Sequence, residues 1–228
     1  MKAKIEDTNY LLFTQFFVIV IAGVVVTALA WQVDWVREII AKDNTYLCRA
    51  IIFFVLAAGI SIGWKTFKLT KELNIARKYI WFLRKAKNNS AYERIEAGDS
   101  RLAQYLEKIK GLKAEDRYSM EHTLERSIGL KIANAGNNLS RLTTAGIIVT
   151  VIGMMLFLGG FGATGIGIDP KIGDILKNTL PGLHLATAGT LLGGIGFFWL
   201  GWLFEILENI KEQLVIAIIE AGVYRAQT

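Results

Sequence analysis

Charged side chains are absent from three long stretches of the chain, residues 8–33, 142–168 and 178–204. Within them the apolar positions form blocks and follow neither a helical nor a strand period, so no polar face is reserved for water. Each block exceeds the roughly 20 residues that carry a helix across a hydrocarbon core about 30 Å thick. A fourth block, residues 50–64, is shorter but is bracketed by Arg49 and Lys65, whose long side chains reach the two interfaces. The pattern predicts an all-α membrane protein with spans at about 10–33, 48–65, 142–164 and 180–204. The first block is too long for the apolar core of a cleaved signal peptide and lacks a small-x-small exit, so it is expected to be retained.

Between and after the spans the pattern changes period. Lys65 onward keeps helix-forming residues, which extends the second span as a helix. Asn88-Asn89-Ser90 and Gly98-Asp99-Ser100 read as turns. The stretch from Glu115 into the third span has no proline and only isolated glycines, so it reads as one helix that enters the membrane near Arg141. Beyond the fourth span, apolar Leu207, Ile210, Leu214 and Ile218 recur at intervals of three and four, the mark of a helix with one buried face. The reading is thus a helical segment at 66–141 and a C-terminal helix at 205–228, outside the membrane and on the same side, with 1–228 forming one membrane domain.

Charge gives that side a name. Most of the Lys and Arg residues lie in the middle segment, among them Lys65, Lys68, Lys71, Arg77, Lys78, Arg84 and Lys85. The connections after the first and third spans carry few bases, balanced by acids. The positive-inside bias therefore puts both chain ends and the middle segment in the cytoplasm. The basic middle also fits a nucleic-acid patch. Interleaved Glu93, Glu96, Asp99, Glu107, Glu115 and Asp116 favour a solvated helical face instead.

Little in the chain suggests catalysis. One cysteine excludes an intramolecular disulfide and a thiolate metal cluster, and His122 and His184 cannot hold zinc alone. No metal, no cofactor and no enzyme activity are expected. "GFGATG", from Gly160 to Gly165, matches the glycine pattern of dinucleotide-binding turns, but that pattern needs a strand before it and a phosphate-facing helix after it. Here it ends a span, and it reads as a flexible exit from the membrane.

The third and fourth spans are rich in small and hydroxylated residues. Gly146, Thr150 and Gly153 fall at i, i+4 and i+7, and Gly189 and Gly193 form a small-x-x-x-small pair. Such faces let helices approach closely in lipid. A membrane threonine usually bonds its own i−4 carbonyl, so packing alone explains any one of them. The alternative is a weakly polar lining that faces a cavity or a partner helix. No Asp, Glu, Lys or Arg lies inside a span, so an ion path would need its ionisable group from a second chain. His184 sits near the outer end of its span and reads as an interfacial side chain.

These residues resemble the MotA/TolQ/ExbB proton channel family. "GIIVTVIGM" (146–154) is similar to the family's G-x-x-G-T-V-x-G-[IM] helix, with Val149 in place of a glycine, and "LPGLHLATAGTLLG" (180–193) is similar to its P-G-…-A-T-A-x-G-L helix, with a shorter gap from Pro181 to Thr187. The approach "LERSIGLKIANAGNNLSRLTTAG" resembles the family's long entering helix. The likeness covers residues 117–220; before that it is only the order of two spans, a middle segment and two more spans, as in MotA. The resemblance implies a ring, typically of five copies, in the bacterial cytoplasmic (inner) membrane around two copies of a MotB/TolR/ExbD-like single-span protein that carries a membrane aspartate. It implies ion-driven motor action with H⁺ or Na⁺, and it puts the family's threonine pair on Thr150 and Thr187. Gly146, Gly153, Gly189 and Gly193 would then face neighbouring helices or the partner. The glutamate that TolQ and ExbB carry early in the last span has no counterpart in "PGLHLATA", which favours the MotA-like arrangement. The other open reading is a non-conducting membrane scaffold in which these faces serve packing only.

Overall fold

A computed structural model describes residues 2–43, 45–85, 95–96, 98–111, 114–163 and 172–227. Among them the chain is all-helical, with no strand. We number the helices α1 (Lys2–Gln32), α2 (Trp35–Lys42), α3 (Leu47–Lys85), α4 (Arg101–Ile109), α5 (Ala114–Ala163) and α6 (Ile172–Gln227). Four stretches are long and apolar enough to cross a membrane: Thr14–Gln32, Leu47–Arg84, Asp116–Gly160 and Leu176–Arg225. Much of their apolar surface faces outward. Val24, Phe53, Ile60, Met155 and Phe198 are all exposed, an arrangement that costs free energy in water and none in lipid. The chain has the make-up of a multi-pass membrane protein.

The expected single helix from Glu115 into the third span is present as α5, 50 residues and about 75 Å long. The helix after the fourth span is present as well, continuous with it in α6. One boundary differs from the sequence reading. Residues 169–177 read as a connection before a span at about 180–204, yet α6 already begins at Ile172 and holds Pro181 inside it. Proline is tolerated there because a membrane helix can satisfy the freed carbonyl from neighbouring groups. The turn expected at 88–90 lies outside the described residues, as do Thr164 and Gly165 of "GFGATG".

The helices cluster into two compact units. The apolar unit comprises Val18–Ile60 and Ala135–Trp202; the charged unit comprises Met1–Phe17, Ser61–Asn134 and Leu203–Thr228.

In the charged unit, α6 supplies a buried row, Leu203, Leu207, Ile210, Leu214, Ile218 and Ala221, which includes the four positions predicted from spacing. Also buried in this unit are Leu69, Leu73, Ala76 and Tyr79 of α3, Leu102, Leu106 and Ile109 of α4, and Ile128 and Ile132 of α5. The bends at 98–100 end in Ser100, whose hydroxyl caps α4 by accepting from Ala103 N at 3.2 Å. Gly222 leaves room for α4: a Cβ there would lie 2.9 Å from both Tyr105 and Ile109. Burial pushes the Tyr105 hydroxyl above its ordinary range; the charge of Glu121 on α5 adds to the shift and Arg117 opposes it. Polar ties fix the register of the parallel pair α3 and α6. Arg77 donates to Gln213 at 2.7 Å, and one heptad on in both helices Arg84 pairs with Glu220. Glu96, largely buried, accepts from Tyr79 at 2.6 Å, pairs with Arg225 Nε at 3.0 Å and has Lys110 Nζ at 3.8 Å.

In the apolar unit, two contacts organise α1, α3 and α6. Trp199 of α6 lies against Gly23 of α1 and Gly59 of α3, where added Cβ atoms would strike its indole ring, and its Nε1 donates to Ile19 O at 3.3 Å. Asp43, only 5% exposed, starts α3. Its carboxylate accepts from Thr45 N and Oγ1 at 3.1 and 2.8 Å, from Cys48 N at 3.0 Å and from Arg49 N at 3.3 Å. A carboxylate that takes two free amides at a helix start both satisfies them and opposes the helix dipole. Asp43→Ala is expected to cost about 2 kcal/mol, the upper end for losing a cap, read as a lower unfolding midpoint in detergent. Asp43→Asn should recover about half of that loss, since one amide oxygen still accepts.

Candidate functional site

The candidate site lies in the apolar unit, where α5 and α6 pair antiparallel along a seam of small residues. The contacts step regularly along both helices. Gly146 faces Gly193, with its would-be Cβ 3.2 Å from Gly193 Cα. Val149 fits into the notch left by Gly189, Gly153 lies against the backbone of Ala186, Gly182 against the backbone of Phe157, and Gly160 against the carbonyl of Asn178. On each helix the contact positions recur at three and four residues, so one narrow stripe carries them all. Side chains larger than hydrogen at Gly153 or Gly182 would meet backbone atoms, which cannot swing away. All four glycines singled out from the sequence, Gly146, Gly153, Gly189 and Gly193, are buried in this seam.

At its middle the seam carries a polar cluster. Thr150 Oγ1 lies 2.9 Å from Gly146 O on its own helix and 3.4 Å from Ala186 O on the other, and it shares a hydrogen bond of 2.7 Å with Thr190 Oγ1. Thr190 Oγ1 in turn lies 3.1 Å from Ala186 O. Two hydroxyl protons thus serve two carbonyls and the link between the hydroxyls. Whichever threonine donates across the seam releases the carbonyl one turn before it. The cluster therefore has two arrangements of equal connectivity, and in each some oxygen lone pairs remain unused. Such a group can take a small cation among its oxygens, or donate to a carboxylate by giving up one of its internal bonds.

Thr187, which the resemblance sets beside Thr150 on the ion path, makes no hydrogen bond to it. It is exposed, and its Oγ1 donates to Leu183 O at 2.9 Å on its own helix. The two threonines that meet are Thr150 and Thr190. Thr187 and Thr190 are three residues apart and fall about 60° from each other around α6, so both open toward the same outer side of the hairpin. That side also exposes Leu183, Gly194, Ile147 and Met154. His184 is half-buried at the far end of the span from the charged residues that follow it.

The nucleotide-binding reading of "GFGATG" has no support in this geometry. Gly160 is helical and packed on α6, α5 continues to Ala163, and no strand precedes it among the described residues. No group of His, Cys, Asp and Glu suited to a metal occurs among the described residues. Comparison of the chain with protein-family models, with curated proteins and with solved structures returns no match.

Proposed function

We propose that the chain is a ring-forming subunit of an ion-driven membrane machine of the MotA/TolQ/ExbB kind, which conducts H⁺ or Na⁺ together with a single-span partner bearing a membrane aspartate. The observation that carries this reading is the Thr150–Thr190 hydroxyl pair, set between two closely packed helices and open on one outer side. Hydroxyls with no acid of their own chain in the spans suit a carboxylate brought by another helix. Thr187 adds a third hydroxyl on that side. In this reading five copies surround two partner helices in the bacterial inner membrane. Both termini, the segment 66–141 and the C-terminal helix then lie in the cytoplasm, where the charged unit meets what the machine drives.

A second reading, a non-conducting scaffold, draws on the same seam, because Gly153 and Gly182 are explained by packing alone. Co-expression with a single-span, aspartate-bearing protein and measurement of ion uptake into vesicles separates the two. Uptake is expected only with both chains present and is lost when the partner's aspartate becomes asparagine. A stable complex that passes neither ion under an imposed gradient would leave the scaffold.

A further inference from the structure

α3 continues as a helix well past its apolar run. From Trp64 on, its exposed positions include Trp64, Phe67, Lys68, Lys71 and Lys78. Trp64, Lys68, Lys71 and Lys78 follow one another at intervals of four, three and seven, so they share one face. Phe67 lies beside Trp64, with ring centroids 6.4 Å apart. Within a single turn this face changes from aromatic to basic.

Nothing described neutralises it. Glu72, the acid on this stretch of α3, is turned away and bound to Arg101 Nε at 3.1 Å. Glu96 is engaged by Arg225, and Glu220 by Arg84. Lys68, Lys71 and Lys78 form no ion pair among the described residues. Three lysines thus share one face, while the described acids of the charged unit that pair do so elsewhere.

The dimensions match one layer of a membrane. Trp settles at the boundary between acyl chains and head groups, and Phe67 packs beside Trp64 there. At about 1.5 Å per residue, Lys68 and Lys71 lie roughly 6 and 10 Å beyond Trp64 along the helix, within the head-group layer or one side-chain length of it. Lys78 lies about 21 Å beyond Trp64 and clears that layer. We propose that Trp64, Phe67, Lys68 and Lys71 form a docking site for the phosphate of an anionic phospholipid, with the two ammonium groups on the phosphate and the aromatic rings against the upper acyl chain. The site depends on the chain spanning a membrane and is independent of ion conduction.

The test is native mass spectrometry of the protein extracted from bilayers with equal amounts of phosphatidylglycerol and phosphatidylcholine. The wild type should retain the anionic lipid in excess. Each lysine removed should reduce that excess about fivefold, the value of one basic residue at an anionic surface. The Lys68→Gln/Lys71→Gln double variant is compared with Lys108→Gln/Lys131→Gln, which removes the same charge from exposed positions elsewhere. Loss confined to the first pair supports the site. Equal retention by the first pair and the wild type overturns it, as does equal loss in both pairs or full displacement of the lipid by inorganic phosphate. All four lysines are exposed and make no structural pair, so folding should survive; Lys68→Gln alone serves if the double variant does not purify as a single species.

Discussion

Gly153→Leu is expected to prevent α5 and α6 from pairing, and Gly153→Ala to weaken the pair by about 3 kcal/mol or more, the upper end for overpacking. The reason is the identity of the atoms in the way. A Cβ at 153 would lie 2.7 Å from Ala186 Cα and 2.8 Å from its Cβ, and closer still to its backbone nitrogen. Rotamer changes cannot relieve a collision with backbone, so the helices must move apart. Separation breaks the seam at every step, since lipid offers no hydrophobic drive to hold loosely packed helices together. Gly182→Ala should behave alike, with a Cβ 2.7 Å from Gly153 O and from Phe157 Cα. Gly159 and Gly194 provide the control, because a Cβ at either meets nothing within 4 Å. Alanine there should be neutral. Unfolding midpoints in detergent decide the matter: equal behaviour of Gly153→Ala and Gly194→Ala would mean that the seam does not hold the unit together.

Thr150→Val should have a small effect on folding and a large one on the proposed ion flow. Valine keeps the shape and removes the hydroxyl. The lost bond to Thr190 costs only about 0.6 kcal/mol, the mean for side-chain hydrogen bonds between membrane helices. An ionised carboxylate brought into the same place loses a donor that water cannot replace, which costs several kcal/mol. Uptake should therefore fall at least about a hundredfold, each 1.36 kcal/mol of barrier counting for a factor of ten. Thr190→Val should do the same. Thr187→Val tests the outer hydroxyl separately: its one bond is to its own helix, so stability should stay unchanged while uptake falls. If all three valine variants assemble with the partner and transport at the wild-type rate, the threonines are not on the ion path. Should they be silent while Gly193→Leu abolishes assembly, the scaffold reading gains what the motor reading loses.

The spans were legible because lipid forbids charge over some twenty residues, which leaves a mark on composition alone. The long α5 and the buried row on α6 were legible for a related reason, since an unbroken helix needs no proline and a buried face needs a period. Gly146, Thr150 and Gly153 likewise declared a shared face through their spacing. Which threonine on α6 meets Thr150 was not legible. Thr187 and Thr190 lie within about 60° of each other, and only the antiparallel register of two helices selects between them. The ties at Glu96 and Trp199 were hidden differently, because each joins residues more than a hundred positions apart or depends on a ring reaching two distant glycines. Asp43 looked like one acid in a short connection; its role appears only when the amides of Cys48 and Arg49 turn toward it.

The smoothness of the α5–α6 seam carries a mechanical consequence. At Gly146, Gly153, Gly182 and Gly160 one of the two surfaces is bare backbone. Leucine-lined helices interlock like gear teeth, and sliding them means lifting every tooth. Here Val149 in the notch of Gly189 and the hydroxyl pair, which are neighbours on one turn, interlock the two helices at the seam's middle. Side-chain interlock thus coincides with the polar cluster itself. In the proposed ion-driven machine, a charge or proton that reorganised those hydroxyls would act directly at the point where the two helices interlock.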